Sequence, residues 1–380
     1  MQLERRSYHH GRGWSEPLPE LDSPRTLVLG FASPRFRSGD SPWAELLRRY
    51  PTSHHIGCST AGEIHGAAVH DDSLSLAIVR FERASLRSAI ASVADGDGSF
   101  AAGEEIARQL VAEPDLRAVF VLCDGTKVNG SRLVDGLNRI VPAGVVVTGG
   151  LAGDGDRFHS TWSLDHGLPR AGIVGAVGLY GDSLRIGHSS RGGWDIFGPE
   201  RRITRSSGNV LFELDGRPAL ALYKEYLGER AKGLPATGLL FPLALRGRSA
   251  DHEQIVRTIL AVDEAAQSMT FAGDVPEGSL AQLMRANFDR LVDGAGAAAQ
   301  GVAAAGNGPT LAIAISCVGR RLVLGERVDE EVEATLAALP QGTEQVGFYS
   351  YGELSPQGSG SCALHNQTMT LTTIAEHGPA

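Results

Sequence analysis

Three apolar segments of this chain each run into nearly the same glycine-containing sequence. We name these sequences the first, second and third glycine motifs: Gly57-Cys-Ser-Thr-Ala-Gly-Glu63, Thr148-Gly-Gly-Leu-Ala-Gly-Asp154 and Gly347-Phe-Tyr-Ser-Tyr-Gly-Glu353. Each motif lies roughly 30 to 40 residues after another apolar segment, with helical sequence between them, which is the spacing of one β-α-β unit. The recurrence predicts a chain built from repeated units that share one loop design.

The wider pattern predicts an α/β fold whose mixed sheets have much antiparallel content and arise from about three β-α-β-loop-β pseudo-repeats. The first strands of the units are predicted at 26–32, 118–124 and 310–316. Further strands are predicted after the motifs, at 73–81, 171–180 and 368–374. Apolar residues at helical spacing also predict helices over 101–112, 217–227 and 280–291.

The length of the chain, 380 residues, exceeds what one core usually supports, so two domains are expected. We predict a flexible leader at 1–24, an N-terminal domain at 25–230 and a C-terminal domain at 231–380. The first 24 residues are polar and lack the hydrophobic core of a signal peptide. No apolar run approaches the roughly 20 residues that cross a bilayer, so we expect a cytoplasmic protein without membrane contact.

Charge and cysteine usage exclude several classes of protein. The chain has 35 basic and 44 acidic residues, a net charge of −9, which favours solubility and argues against nucleic-acid binding. Its four cysteines show no CxxC spacing, and its twelve histidines form no HExxH or similar compact set. We therefore expect reduced thiols and no metal centre.

Several segments taken in order resemble the FIST family over almost the whole chain after the leader. They are the three glycine motifs together with Leu214-Asp-Gly-Arg-Pro-Ala219 and Leu364-His-Asn-Gln-Thr368. The resemblance implies a FIST N-terminal and a FIST C-terminal domain in a sensory module that binds small ligands such as amino acids. It also implies a signalling partner, such as a histidine kinase or a cyclic-dinucleotide enzyme, which we expect to be a separate protein. Some bacterial relatives look like haem proteins that sense nitric oxide, so a second ligand class stays open.

The glycine motifs themselves suggest a ligand site. Glycines allow close approach to a backbone, and the closing residues Glu63, Asp154 and Glu353 would accept hydrogen bonds from an ammonium or hydroxyl group. The first motif adds the side chains of Cys58, Ser59 and Thr60. The alternative is that the glycines only permit tight strand exits while the acidic side chains bind neighbouring backbone amides.

Other candidate ligand residues lie at strand ends or beside the third motif. Alternation directs Tyr349 and Tyr351 to one face of a strand, where they line a site or pack over the core. Arg320 would pair with a ligand carboxylate or take part in a surface ion pair. The remaining candidates are Asp124 and Asn129 at a βα turn, and His365 and Asn366 after the third motif.

Three hypotheses for function follow. The first is a small-molecule sensory module, the second a haem-based gas sensor that uses one histidine such as His188 or His365, and the third a protein-interaction scaffold without a ligand. No cofactor is required by the first or third. The chain lacks a G-x-S-x-G elbow, a P-loop and a complete G-x-G-x-x-G fingerprint. Cys58 lies near His55 and Glu63 in sequence, but we expect no catalysis there.

Overall fold

The computed structural model describes residues 1–38, 41–247, 254–302, 308–357 and 360–377. The α-helices in these residues are α1 Trp43–Arg49, α2 Ser99–Val111, α3 Gly130–Ile140, α4 Ala219–Leu227, α5 Phe288–Gln300, α6 Val318–Leu324 and α7 Val328–Ala338. The first fourteen strands are β1 Gln2–His9, β2 Gly13–Trp14, β3 Thr26–Ala32, β4 His54–Ser59, β5 Glu63–His65, β6 Ala68–His70, β7 Ser73–Arg80, β8 Ser85–Ser92, β9 Leu116–Cys123, β10 Val146–Leu151, β11 Ser163–Asp165, β12 Leu168–Arg170, β13 Ile173–Tyr180 and β14 Leu184–Arg191. The others are β15 Asp195–Ser207, β16 Val210–Leu214, β17 Arg217–Pro218, β18 Leu243–Arg246, β19 Ile255–Arg257, β20 Ile259–Asp263, β21 Ser268–Phe271, β22 Leu280–Arg285, β23 Thr310–Cys317, β24 Thr343–Ser350, β25 Gly352–Gln357, β26 Ser361–His365 and β27 Met369–Glu376. The predicted mixed α/β fold with antiparallel content is confirmed.

Three sheets form one part of the molecule, which we call the three-sheet body (the described residues of 1–191 and 288–377). Their strand orders are β12-β11-β4-β3-β7-β1-β2, β26-β25-β10-β9-β13-β8 and β14-β27-β23-β24-β5-β6. The central strands are buried on both faces, and their nearly continuous apolar sequences suit that position. No helix in the described residues is long and apolar enough to span a bilayer.

The centre of each sheet has the same arrangement of three strands. Two parallel strands (β3 and β4, β9 and β10, or β23 and β24) are flanked by an antiparallel strand, β7, β13 or β27. The hairpin after each motif pairs with another sheet's centre: β5–β6 joins β24, β11–β12 joins β4, and β25–β26 joins β10. Exchanged hairpins therefore connect the three sheets. Descent of the sheets from one repeated unit stays a prediction.

Glycines of the motifs stand where two parallel strands approach closely. A Cβ at Gly149 would collide with the carbonyl of Val121, and one at Gly347 would collide with the carbonyl of Ala314. A Cβ at Gly57 would lie 2.5 Å from the Gly30 carbonyl oxygen. Side chains are excluded here by a neighbouring strand, so the close approach permitted by these glycines is between strands.

The described residues of 195–286 form a second part of the molecule, which we call the inserted subdomain. Its sheet has the order β19-β18-β22-β15-β16-β21-β20, with β17 paired to β16, and α4 packs beside it over a separate apolar core. The two points where it joins the three-sheet body lie side by side, since a Cβ at Gly193, just before β15, would collide with the carbonyl oxygen of Arg290 in the first turn of α5. The predicted boundary at 230/231 falls inside this subdomain, since β15 and β16 precede it while β21 and β22 follow it.

Two local predictions are wrong. The segment 1–24 is not a free leader, because β1 pairs with β7 from Gln2 opposite Arg80 to His9 opposite Ser73. Its arginines are compatible with a strand near the sheet edge. The helix predicted over 280–291 is instead strand β22 followed by α5, since pairing with β15 and β18 overrides the helical periodicity and Asn287 caps the helix after it.

Candidate functional site: a cleft between the body and the inserted subdomain

The three glycine motifs meet at the centre of the three-sheet body. Main-chain hydrogen bonds from N–H to carbonyl oxygen join them in pairs: Gly153 to Ser59 at 2.9 Å, Ala61 to Tyr349 at 2.8 Å and Tyr351 to Leu151 at 3.1 Å. The contacts are between backbones, and they bring the three motifs together in space. Most of their polar side chains are bonded within the protein.

Glu63 of the first motif is buried, and its carboxylate accepts three hydrogen bonds from its own unit. The Thr60 hydroxyl donates to one oxygen, while the backbone N–H and hydroxyl of Ser73 donate to the other at 3.0 and 2.7 Å. Burial raises the pKa of Glu63 to about 8 although these hydrogen bonds oppose the shift. The carboxyl group therefore ties its motif to the start of β7.

Glu353 of the third motif makes an equivalent set of contacts. The Ser350 hydroxyl donates to one carboxylate oxygen at 2.7 Å, and the N–H and hydroxyl of Thr368 donate to the other at 3.2 and 2.9 Å. Burial again raises the pKa of Glu353 to about 8. This carboxyl group ties its motif to the residue that precedes β27.

Asp124 occupies the turn between β9 and α3. One of its carboxylate oxygens accepts hydrogen bonds from the N–H groups of Thr126 and Lys127 at 2.8 and 3.0 Å and from the Thr161 hydroxyl at 2.6 Å. The other accepts from the Gly172 N–H at 2.7 Å. Asp124 therefore shapes the turn that presents Lys127 and the start of α3.

Arg320 is fully buried and forms an ion pair with Glu331, which is also buried. The sequence had suggested either a ligand carboxylate or an acidic residue at the surface as its partner, and Glu331 is neither. Its Nε and Nη2 atoms lie 2.7 and 2.6 Å from a Glu331 oxygen. The guanidinium also donates to the carbonyls of Gly192 and, at 2.8 Å, Leu291. Tyr349 donates its hydroxyl to Glu331 at 3.0 Å. Arg320 thus joins the core of the body to both connections of the inserted subdomain.

The remaining residues predicted near the motifs are also enclosed. Cys58 is buried, and burial raises the pKa of its thiol well above the ordinary value. His365 bonds through Nε2 to the Ser355 carbonyl at 3.1 Å, and burial lowers its pKa to about 4. Asn366 donates to the carbonyl of His365 at 3.0 Å. Across the described residues, no group of three His, Cys, Asp or Glu side chains is placed to hold a metal ion.

Two adjacent cavities form a cleft where the inserted subdomain faces the three-sheet body. The first has a volume of about 530 Å³ and the second about 440 Å³. Phe158 of the body and Leu260 of the subdomain line both cavities. We use "the cleft" for this pair of cavities.

The first cavity is lined largely by polar groups. Lys127 and Arg132 project from the region where α3 begins, and Asp97 and Asp274 also line this cavity. Asn129 caps α3 by accepting a hydrogen bond from the Arg132 N–H at 3.1 Å, while its amide donates to Asp274 at 3.3 Å across to the subdomain. Both signs of charge are therefore present around one cavity.

The second cavity is apolar and gathers exposed hydrophobic side chains from separate parts of the chain. Their exposed fractions are 37% for Phe158, 37% for Leu240, 36% for Leu260 and 43% for Leu322. Two belong to the body and two to the subdomain. Large apolar groups clustered at a surface commonly mark a binding site, whereas single ones need no explanation.

Tyr351 is the residue of the third glycine motif that lines the cleft. Its ring stacks on Phe158 with centroids 4.3 Å apart and an interplanar angle of 17°. Its hydroxyl donates to the Asp154 carboxylate and accepts from the N–H groups of Asp154 and Phe158, both at 3.1 Å. The other Asp154 oxygen accepts from the N–H groups of His159 and Ser160. The loop after the second motif is therefore anchored on Tyr351.

Among the predicted site residues, Asn129 and Tyr351 line the cleft. The other eleven lie outside its lining: Cys58, Ser59, Thr60, Glu63, Asp124, Asp154, Arg320, Tyr349, Glu353, His365 and Asn366. The sequence reasoning missed Lys127, Phe158, Leu260 and Leu322. One available signal was Phe158, a large apolar residue within the polar loop that follows the second motif.

The fold and the cleft define a mixed α/β protein with an inserted subdomain over a cavity lined by both parts. Family models match as the FIST N domain over residues 26–217 and the FIST C domain over residues 219–356, and the chain therefore belongs to the FIST family. FIST domains are sensory domains of signal transduction.

Two further comparisons add little about activity. The chain is 24% identical over 274 residues to Uncharacterized protein MJ1623 of Methanocaldococcus jannaschii, covering 65% of this chain and 51% of that protein. It thus spans about half the length of this curated relative. A crystal structure of cyanuric acid hydrolase from A. caulinodans aligns with 93% of this chain and 90% of that chain at 10% identity. The TM-score of that alignment is 0.33.

Proposed function

We propose that this protein senses a small molecule, such as an amino acid or related metabolite, by binding it in the cleft without catalysis. The observation that carries the proposal is the convergence of Phe158, Leu240, Leu260 and Leu322 on one cavity from both parts of the molecule. An apolar cavity beside a few convergent polar groups is the usual form of a small-molecule site.

The distribution of charge suits a ligand with two charged ends and an apolar side chain. A carboxylate would lie beside Lys127 and Arg132, and an ammonium group beside Asp97 or Asp274 in the same cavity. The apolar part would enter the second cavity against Leu322. The two volumes, about 530 and 440 Å³, leave room for a ligand larger than a single amino acid.

The same arrangement suggests how binding would alter the protein. A ligand that touches both the body and the inserted subdomain favours the arrangement in which both surfaces reach it. Helix α6 carries Leu322 at the cleft and Arg320 at the connections of the subdomain. We propose that the resulting change is recognised by a separate signalling protein, such as a histidine kinase or a cyclic-dinucleotide enzyme.

Native mass spectrometry of the freshly purified protein, followed by calorimetric titration with amino acids and related metabolites, tests the proposal. Leu322→Asp should abolish binding because it places a charge in the apolar cavity. Leu168→Asp is the matched control, since Leu168 is 49% exposed and lines neither cavity. Equal loss of binding in both variants, or unchanged binding in Leu322→Asp, would contradict the cleft as the site. An adduct with the mass of haem would support the gas-sensor hypothesis instead.

A further inference from the structure

Phe158 has an unusual backbone conformation for a bulky residue. Its φ angle is +50°, in the left-handed region, and its side chain is 37% exposed. Such a conformation is strained in a bulky residue other than glycine and persists only where the surroundings impose it. A glycine or asparagine would occupy this position with less strain, so the aromatic ring at this point requires an explanation.

The surroundings that impose the conformation come from the third glycine motif. The Phe158 N–H donates to the Tyr351 hydroxyl at 3.1 Å, and the two rings stack with centroids 4.3 Å apart. The Tyr351 hydroxyl is in turn fixed by Asp154 and accepts a hydrogen bond from its N–H. Tyr351 therefore covers one face of the Phe158 ring and holds the ring at the junction of the two cavities.

Phe158 contributes to the lining of both cavities of the cleft. Leu260 of the inserted subdomain lines the same junction and is 36% exposed. An aromatic ring and a branched aliphatic side chain that border one gap provide two apolar walls. A planar ring placed between them would contact both, and a pair of aromatic rings, stacked with an offset or edge to face, gains more than its buried area alone provides.

We propose that the ligand carries a planar aromatic or heteroaromatic ring that stacks on Phe158 and lies against Leu260. Its polar substituent extends into the first cavity, beside Lys127 and Arg132. The inference rests on the proposed function and narrows it to a class of ligand. Within this arrangement Tyr351 is a positioning residue, because it acts on the ligand through Phe158.

The test uses two pairs of compounds that differ in ring saturation: L-phenylalanine with L-cyclohexylalanine, and benzoate with cyclohexanecarboxylate. Affinities are measured by calorimetric titration of the full chain. The aromatic member of each pair should bind about two- to tenfold more tightly, the range expected from aromatic stacking. Phe158→Leu keeps an apolar side chain and should remove that preference.

Phe288→Leu is the control, because Phe288 is 46% exposed and lines neither cavity, and it should keep the preference. Melting curves of both variants verify that they are folded, and a Phe158→Tyr variant, which retains a ring, should keep the preference as well. Equal affinity for both members of each pair, with binding still lost in Leu322→Asp, overturns the ring inference and leaves the proposed function standing. Failure of both aromatic compounds to bind also overturns the ring inference, whereas the proposed function fails only if the wider metabolite titrations are negative too.

Discussion

The centre of the three-sheet body and the cleft show opposite chemistry. At the centre, polar side chains are buried and bonded to their own chain, as Glu63 and Glu353 are. At the cleft, apolar side chains such as Leu322 remain exposed, and Phe158 keeps a strained backbone. Groups that are satisfied and buried stabilise a fold, whereas clustered exposed apolar groups and strained backbones are features common at binding sites.

The second glycine motif shows how the two regions are related. In the first and third motifs, the acidic residue bonds to the start of the unit's own antiparallel strand, through Ser73 or Thr368. Asp154 instead bonds to the loop that follows it and to Tyr351. The contacts shared by Glu63 and Glu353 thus stabilise the fold. The different contacts of Asp154 hold the loop that places Phe158 in the cleft.

The largest effect that separates the two regions should come from Arg320→Ala. The substitution leaves Glu331 buried without its cation and frees two carbonyls at the subdomain connections, so we expect a loss of about 3–5 kcal/mol in the free energy of unfolding. Chemical denaturation measures it. The double variant Arg320→Met/Glu331→Leu should recover part of that loss, because it removes both charges. A loss below about 1 kcal/mol in Arg320→Ala would contradict the structural role.

The pH dependence of stability should identify the buried glutamates. Burial raises the pKa values of Glu63 and Glu353 to about 8, so the folded state holds their protons more tightly than the unfolded state does. The stability that this difference contributes is fully present below the pKa of the unfolded state and is lost as the pH rises through 8. Burial lowers the pKa values of His65 and His365 to about 3 and about 4, which has the opposite effect on the pH dependence of stability. The stability that the two histidines contribute is present above pH 6.5 and is lost as the pH falls below it. Melting temperatures should therefore fall between about pH 6.5 and 9.

Glu63→Gln and Glu353→Gln provide the check on this assignment. Each amide keeps the shape of the side chain without a proton to lose, so each variant should show a smaller fall in melting temperature over that pH range. The double variant should show the smallest fall. If the melting temperatures of all three variants fall as much as that of the wild type, other groups cause the loss of stability at alkaline pH.

Tyr351→Phe should have an intermediate effect that reaches both regions. The change keeps the ring stacked on Phe158 and removes the hydroxyl that bonds to Asp154 and to the loop N–H groups. We expect a loss of about 1.5–3 kcal/mol in unfolding free energy, typical of a hydrogen bond to a charged group, together with weaker ligand binding. If Tyr351→Phe lowers the unfolding free energy but leaves the affinity for the ligand unchanged, the position of the loop that carries Phe158 does not affect binding in the cleft.

The smallest effect on stability is expected at the cleft itself. Leu322→Ser and Leu260→Ser change side chains that are already exposed, so the free energy of unfolding should shift by at most about 0.5 kcal/mol while affinity for the ligand falls. Leu168→Ser, at an exposed position outside the cleft, should leave both quantities unchanged. Large destabilisation in the cleft variants would place these leucines among the core residues instead.

Local sequence predicted the fold well wherever burial leaves a continuous apolar signal. The strands at 26–32 and 310–316 are buried on both faces and were found for that reason. Strand β1 was missed because its arginines resemble those of a solvated tail, and β22 because its apolar spacing also fits a helix. In both cases the structure is determined by pairing with strands that are distant in the sequence, and the local residue pattern contains no signal for that pairing.

The cleft was harder to predict than the fold. Two of the residues selected from the sequence line it: Asn129, chosen at a βα turn where ligand groups are common in α/β sheets, and Tyr351, chosen because alternation places it on one face of a strand. Leu260 and Leu322 carry no comparable local signal and come together only through the packing of the inserted subdomain on the body. Residues such as Glu353 were selected because they recur, and the recurrence reflects the contacts that build the sheets.

The adjacency of the two subdomain connections has an evolutionary consequence. Because the backbones at Gly193 and Arg290 nearly touch, the described residues of 195–286 enter and leave the body at one point. A different insert could be joined there without rearranging the exchanged hairpins. Part of the lining of the cleft belongs to that insert, so under the proposed function a lineage could acquire a new chemical specificity by replacing a single contiguous stretch of its gene.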